Sequence, residues 1–179
     1  MRAKYDTELD RLLERARELL GANDDAHLVD ANTAVNHALV LRPDSVDGWL
    51  LKCQVCSATG DDIAALAAAE MAVARAPDRA ECQYWRGAVL GDLGHHADAL
   101  RSIEDALLAI TGDDTWLLED LYYEKVLVLD ALGLPDAAVA ACAEGLASCP
   151  GSALLRAALV PAQRARVRST LKVLRGGQG

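Results

Sequence analysis

The sequence predicts an all-α fold, an α-solenoid of stacked antiparallel helix hairpins, and three observations support this class. Small and helix-breaking residues return at an interval of about 34 residues, as in Gly60 and Gly94 or Pro43 and Pro77, a period typical of helical-hairpin repeats. Aromatic residues are only 4% of the chain and phenylalanine is absent, which favours closely packed helices of Ala, Leu and Val over sheets. With 179 residues, 52% of them hydrophobic, the chain can bury a core as one domain.

The third repeat carries the same marks with a constant displacement. Gly133, Ala138, Gly145 and Pro150 follow their counterparts by about 39 residues, which indicates one insertion, in the turn at residues 111–115. The single domain therefore divides into a degenerate N-terminal hairpin at 1–44, repeats at 45–78, 79–113 and 114–151, a basic C-terminal helix at 152–175 and a flexible tail at 176–179.

The degenerate hairpin begins with an amphipathic helix from Thr7 to Leu20, which Gly21 is expected to end. A second helix carries apolar residues from Leu28 to Leu41 and stops before Pro43, because proline cannot continue a helix.

The first full repeat has clear helix boundaries. Ser45 is expected to cap a helix at 46–59, Gly60 to end it in a left-handed conformation, and Asp61 or Asp62 to cap a helix at 63–76. The same reasoning predicts helices at 81–93 and 97–110 in the next repeat, and at 116–132 and 136–148 in the last.

The C-terminal segment is strongly basic. After Ser152 the chain has six basic and no acidic residues, so this segment carries +6 and the remainder −15 of the net charge of −9. An amphipathic helix is predicted at 162–174, with Pro161 kinking it or separating it from the helix before. Its basic stripe consists of Arg164, Arg168, Lys172 and Arg175.

A cap over the last apolar face of the solenoid is the favoured role for this segment. The alternatives are a helix that binds a partner or a membrane surface, or one that occupies the acidic groove of its own or a neighbouring molecule, giving autoinhibition or a homo-oligomer.

From about residue 28 to 150 the chain resembles a tetratricopeptide-repeat (TPR) protein. The residues that carry the resemblance are Trp49, Cys53, Gly60, Ala65, Ala72 and Pro77, then Gly87, Leu90, Gly94, Ala99, Ile103 and Ala106, then Tyr122, Leu129, Gly133, Ala138, Cys142, Gly145 and Pro150.

The resemblance implies a concave groove, lined by the first helix of each hairpin, that binds a peptide or a partner helix. By register its lining would be Asp47, Leu50, Gln54, Glu81, Tyr84, Ala88, Asp92, Asp120, Tyr123, Leu127 and Asp130. Asp47, Glu81 and Asp120 would form an acidic rail beside Tyr84 and Tyr123, which suits a basic, partly apolar or amphipathic protein segment. The alternative is that the acids are ordinary solvated side chains and the tyrosines belong to the core.

The family's clamp for a C-terminal carboxylate is not expected here. That clamp would need Lys, Asn and Arg donors at the places of Leu50, Gln54, Trp85, Asp120 and Glu124, where the chain offers acids and no cations.

Catalytic, metal and cofactor sites are not predicted. Cys53 and Cys56 form a CxxC within a helix, and because no second CxxC exists, core packing is favoured over redox or metal binding. The turn with His95 and His96 is a remote metal candidate. No nucleophile elbow or phosphate-binding glycine loop is present.

Charge and composition bound the partners and the compartment. The net charge of −9 argues against nucleic acid. The charged N-terminus does not resemble a secretory signal, no apolar run is long enough to span a bilayer, and five cysteines suit a reducing compartment, so a cytoplasmic location is expected.

The sequence thus predicts a non-catalytic protein–protein interaction adaptor or scaffold. The alternatives are a secretion-type TPR chaperone for a client protein and a homo-oligomerising component of an assembly.

Overall fold

The computed structural model describes residues 2–22 and 24–176, with side chains for residues 7–22, 24–112 and 114–170. This part of the chain folds into nine α-helices, one 3₁₀ turn and no strand, so the predicted all-α class is confirmed. The helices are α1 (Arg2–Ala22), α2 (Asp25–Leu41), α3 (Val46–Ala58), α4 (Asp62–Arg75), α5 (Ala80–Asp92), α6 (His96–Ala109), α7 (Leu118–Ala131), α8 (Pro135–Ser148) and α9 (Ala153–Gly176), and the 3₁₀ turn is Gly112–Leu117.

The helices stack as four hairpins followed by one long helix. α1 pairs with α2, α3 with α4, α5 with α6, and α7 with α8, while the second helix of each hairpin contacts the first helix of the next. The first helices α1, α3, α5 and α7 also contact one another in sequence, so they form one continuous face. The predicted solenoid is confirmed, and α9 completes it by packing on α8 and α7.

The turns within the last three hairpins share one geometry. Gly60, Gly94 and Gly133 have φ of +75°, +78° and +71°, a left-handed conformation that only glycine adopts without strain. The N–H of the following residue donates back across the turn in each hairpin, from Asp61 to the Cys56 carbonyl (2.9 Å), from His95 to that of Leu90 (2.8 Å) and from Leu134 to that of Leu129 (2.9 Å). These bonds satisfy carbonyls at the helix ends, so the chain reverses at each glycine.

The turns that lead into α3, α5 and α9 share a second feature, a side chain that donates to a proline carbonyl six residues earlier. The bonds run from Trp49 Nε1 to Pro43 (2.8 Å), from Gln83 Nε2 to Pro77 (2.9 Å) and from an Arg156 guanidinium nitrogen to Pro150 (3.1 Å). The predicted cap at Ser45 also recurs. Ser45 Oγ accepts from the N–H of Gly48 (3.1 Å), and Ser152 Oγ accepts from that of Leu155 (2.9 Å). α9 therefore starts as α3 does, as the first helix of a further hairpin.

Two helical glycines lie where helices cross closely. A Cβ atom on Gly87 would lie 2.9 Å from Ile103 Cγ1, and one on Gly145 would lie 2.8 Å from both Tyr122 Cβ and Leu155 Cδ1. Such separations are shorter than carbon atoms tolerate, so a larger residue at either position requires the neighbouring side chains or helices to shift.

The end of α1, the inserted turn and the start of α7 differ from the sequence prediction. Gly21 lies inside α1, one residue before its end. The inserted turn forms a 3₁₀ helix, with Thr111 and Asp114 in a capping box, so α7 begins at Leu118 and not at Trp116. Leu117 is buried and anchors this turn, while Trp116 remains 62% exposed.

Pro161 does not separate two helices, because α9 runs through it without a break. Proline removes one backbone hydrogen bond inside a helix. The residues on either side hold the helix in place, since Leu155 and Ala162 are buried and Ala162 packs with Val126, Leu129 and other residues of the last hairpin. The N-terminal half of α9 therefore covers the apolar face of the last hairpin, which is the capping role predicted for this segment.

Candidate partner-binding groove

The first helices of the hairpins and α9 line the face on which the groove was predicted. On α3, Leu50 is only 2% exposed and packs with Ala72 and Cys82, so it belongs to the core between α3, α4 and α5. Asp47, Gln54 and Ala88 are half-buried. Leu50 is therefore not part of the groove lining.

The acidic rail expected from Asp47, Glu81 and Asp120 is interrupted by an internal cation. Arg79 donates to Asp47 Oδ1 at 2.7 Å and to Glu81 Oε2 at 2.5 Å. Both carboxylates are thus neutralised within the chain, and only Asp120 of the three remains without an ion pair in the described residues. Arg79 precedes Glu81 by two residues and Asp47 lies near the start of the equivalent helix one repeat earlier, but the sequence alone does not show that the three side chains meet.

An acidic cluster of Asp92, Asp120 and Glu124 lies between α5 and α7. Burial raises the pKa of each carboxyl group, and neighbouring charges raise it further: Asp62 for Asp92, Glu119 for Asp120, and both Asp92 and Asp120 for Glu124. No basic side chain of the described residues pairs with any of the three. The cluster therefore carries self-repelling negative charge that a cation would relieve.

Tyr84 faces this cluster from α5. Burial raises the pKa of its hydroxyl, and the charges of Asp120, Glu124 and Asp92 raise it further. Its ring packs edge-on against Trp85, with 5.3 Å between ring centroids, and joins the core cluster that contains Leu121. Tyr84 therefore combines the two expectations, since its ring is part of the core while its hydroxyl stays protonated beside the acids.

An apolar pocket lies between α7 and α9, beside the acidic cluster. Its cavity of about 250 Å³ is lined by Tyr123, Val126, Leu127, Asp130, Leu154, Ala157, Ala158, Pro161 and Ala162. Tyr123, Leu127 and Asp130 were expected to line the groove. The α9 residues were not, although Leu154, Ala157 and Pro161 stand at the same distances from Pro150 as Asp47, Leu50 and Gln54 do from Pro43. The repeated Pro-x-Ser at 43–45 and 150–152 is the signal that could have placed them.

Arg164 and Arg168 of α9 do not line the apolar pocket of the groove. α9 packs on α7 and α8, and Arg164 and Arg168 are exposed on its outer side together with Val160, Gln163 and Val167. The side chains of Lys172 and Arg175 lie outside the described residues. Occupation of the acidic groove by this helix, in its own or a neighbouring molecule, was one alternative, and it stays untested because two of the four basic side chains are outside the described residues.

Four of the five cysteines, Cys53, Cys56, Cys82 and Cys142, are core residues. Cys53 and Cys56 pack against Ala65, Ala68 and Ala69 of α4, and burial together with Cys56 raises the pKa of the Cys53 thiol to about 12. Burial raises the pKa of Cys82 to about 11. Within the residues that the structure describes, no three His, Cys, Asp or Glu side chains are grouped to hold a metal ion.

The turn geometry, the small-residue crossings and the continuous first-helix face are those of a solenoid built from repeated helix hairpins. No family model matches the sequence, and no curated protein matches it. Solved structures do. The MamA protein aligns with 94% of this chain and 88% of its own at 17% identity and a TM-score of 0.73.

Two further structures agree. A thermophilic TPR protein of Thermus thermophilus aligns with 87% of this chain and 81% of its own, at 20% identity and a TM-score of 0.73. PilF of Pseudomonas aeruginosa aligns with 90% of this chain and 75% of its own, at 16% identity and a TM-score of 0.75. The chain therefore has the TPR fold. Among the described residues, none of the helices has the length and apolarity that crossing a bilayer requires.

Proposed function

We infer that this protein is a non-catalytic protein–protein interaction scaffold whose concave groove holds a partner segment with a basic side chain next to an apolar one. The observation that carries this proposal is the adjacency of the unpaired acidic cluster and the apolar pocket, since α7 contributes Asp120 and Glu124 to the first and Tyr123 and Leu127 to the second. A preformed site of this kind binds without a large ordering cost.

The spacing along α7 sets the length of the partner segment. Asp120 and Leu127 are seven residues apart, which in an α-helix is a distance of about 10 Å. An extended segment covers that distance in about three residues. A lysine or arginine followed about three residues later by a large apolar residue therefore fits both subsites, and in a helical partner the two would be about seven residues apart.

Electrostatics and burial have separate roles in this arrangement. The acidic cluster attracts the basic side chain and gains from it, because a cation relieves the repulsion among Asp92, Asp120 and Glu124. The apolar pocket supplies the affinity that survives at high salt, since burial of an apolar side chain is not screened. A cytoplasmic adaptor and a chaperone for a client protein would both use the groove in this way.

Selection from a random peptide library displayed on phage, against the whole chain, tests the proposal. Peptides with the basic-to-apolar spacing given above should be enriched, and a Tyr123→Ala/Leu127→Ala variant and an Asp120→Asn/Glu124→Gln variant should each bind them at least about tenfold more weakly. Glu144→Gln on the exposed side of α8 is the matched control. Equal binding to all variants, or enrichment of acidic peptides, would refute the groove proposal.

A further inference from the structure

Among the described residues no helix packs on the outer face of α9, whereas the second helix of the hairpin packs on the corresponding face of α3, α5 and α7. In the second hairpin this face consists of Trp49, Cys53 and Cys56, which pack on Ala65, Ala68 and Ala69 of α4. In the third, Gly87 lies against Ala99, Ser102 and Ile103 of α6. In the fourth, Val126 and Leu129 pack with Ala138, Ala141 and Cys142 of α8.

The register of α9 shows which residues would face such a second helix. Because α9 starts at Pro150 and Ser152 as α3 starts at Pro43 and Ser45, the counterparts of Trp49, Cys53 and Cys56 are Arg156, Val160 and Gln163. These positions continue on the same face to Arg164, Val167 and Arg168, at helical spacings of three and four residues. The inward side, with Leu155 and Ala162, is buried as in a complete repeat.

This outer face is apolar along its centre and basic at its border. Val160 and Val167 are 48% and 55% exposed, and with Gln163, Arg164 and Arg168 they line a shallow depression. Neither Arg164 nor Arg168 pairs with a carboxylate of the described residues. α9 also continues for 24 residues, whereas α3 and α5 have 13 each, so the face is longer than in the complete repeats.

We propose that the outer face of α9 binds an amphipathic helix of a partner protein, antiparallel to α9, at the place where a second helix packs on α3, α5 and α7. The partner helix carries small residues at spacings of three and four, as α4, α6 and α8 do, because only small residues allow helices to approach as closely as in these hairpins. Asp or Glu side chains border its small-residue stripe and pair with Arg164 and Arg168.

Charge argues against a second copy as the occupant. An α9 from another molecule would bring the same arginines and no acid, and like charges at a helix contact are destabilising. The apolar stripes of α2, α4, α6 and α8 are already buried within the chain. Among the described residues, these four helices of a second copy therefore offer no free stripe of small residues. The inference does not depend on the groove, which lies on a different side of α9.

A labelled peptide with the sequence of residues 61–76 is a suitable probe, because it contains the α4 stripe Ala65, Ala68, Ala69 and Ala72 and carries Asp61, Asp62 and Glu70 outside it. Fluorescence anisotropy with the full chain should show saturable binding in the micromolar range. A Val160→Asp/Val167→Asp variant should bind at least about tenfold more weakly, and so should Arg164→Glu/Arg168→Glu. All four side chains are exposed, so both variants should keep the parent melting temperature.

Two controls separate this surface from others. A peptide with Asp62→Lys and Glu70→Lys should bind the parent more weakly and the Arg164→Glu/Arg168→Glu variant more tightly. The groove variant Tyr123→Ala/Leu127→Ala should bind the original peptide as the parent does. The proposal is overturned by absence of saturable binding, by loss of binding in the groove variant, or by sedimentation showing that the parent self-associates and that Val160→Asp/Val167→Asp abolishes the association.

Discussion

At the scale of single residues, glycine is required where two helices cross closely, although its helix propensity is low. Gly145 should not tolerate alanine, because the new Cβ would meet Tyr122 and Leu155 at 2.8 Å. Overpacking typically costs about 1–3 kcal/mol, which exceeds the roughly 1 kcal/mol that alanine gains in helix propensity. Urea denaturation followed by circular dichroism should show a lower free energy of unfolding for Gly145→Ala.

Gly21→Ala is the matched control for this substitution. Gly21 also lies in a helix, but a Cβ there has no neighbour within 4 Å, so alanine should leave stability unchanged or raise it slightly. If Gly145→Ala were as stable as Gly21→Ala, the crossing of α7, α8 and α9 would be looser than described.

The acidic cluster makes a second residue-scale prediction. The pKa of Glu124 is raised in the folded state, so the folded protein binds protons more readily than the unfolded chain in the range between the ordinary and the raised pKa. Stability should therefore fall as pH rises through that range. Glu124→Gln should raise the melting temperature at neutral pH by about 2–4 °C, as expected for about 1 kcal/mol in a chain of this size.

Melting curves measured across pH check the cause. The gain from Glu124→Gln should shrink as the pH is lowered through the same range, because the parent side chain is then protonated too. Glu144→Gln on α8 should give no such pattern. A gain that stayed constant with pH would contradict the electrostatic explanation.

At the scale of elements, the helices were largely predictable and their side-chain pairings were not. Gly60, Gly94 and Gly133 and the prolines before α3, α5 and α9 define the repeat because turn geometry is local and depends on residue type. The neutralisation of Asp47 and Glu81 by Arg79 depends on contacts across two repeats, which a reading by register does not resolve. The continuation of α9 through Pro161 likewise depends on tertiary packing.

The role of α9 as a cap gives a prediction for the element as a whole. A chain ending at Gly151 loses the burial of Leu155 and Ala162 and exposes Val126 and Leu129. Loss of one buried leucine alone typically costs about 2–5 kcal/mol, so this chain should melt at a much lower temperature and aggregate.

The control is a chain ending at Thr170, which keeps the described contacts of α9 with α7 and α8. Its melting temperature should equal that of the parent. Equal stability of the shorter chain, ending at Gly151, would show that α9 is not needed to cover the last hairpin.

At the scale of the whole molecule, the chain is a one-dimensional array in which each hairpin contacts mainly its neighbours. The stability of such an array is the sum of repeat terms and interface terms, so its parts can open separately. The inserted 3₁₀ turn between α6 and α7 lengthens the connection at one junction, and that junction is the one that the acidic cluster and Tyr84 span.

The buried cysteine thiols allow the local opening of individual hairpins to be measured. Cys53 and Cys56 lie in the second hairpin, Cys82 in the third and Cys142 in the fourth, all buried, and burial raises the pKa of each. Since the thiolate is the reactive form, alkylation requires local opening. Pulsed iodoacetamide labelling read by mass spectrometry should give a separate rate for each of the last three hairpins, with half-buried Cys149 reacting first. Equal rates at the four buried thiols would instead mean that the solenoid opens as one cooperative body.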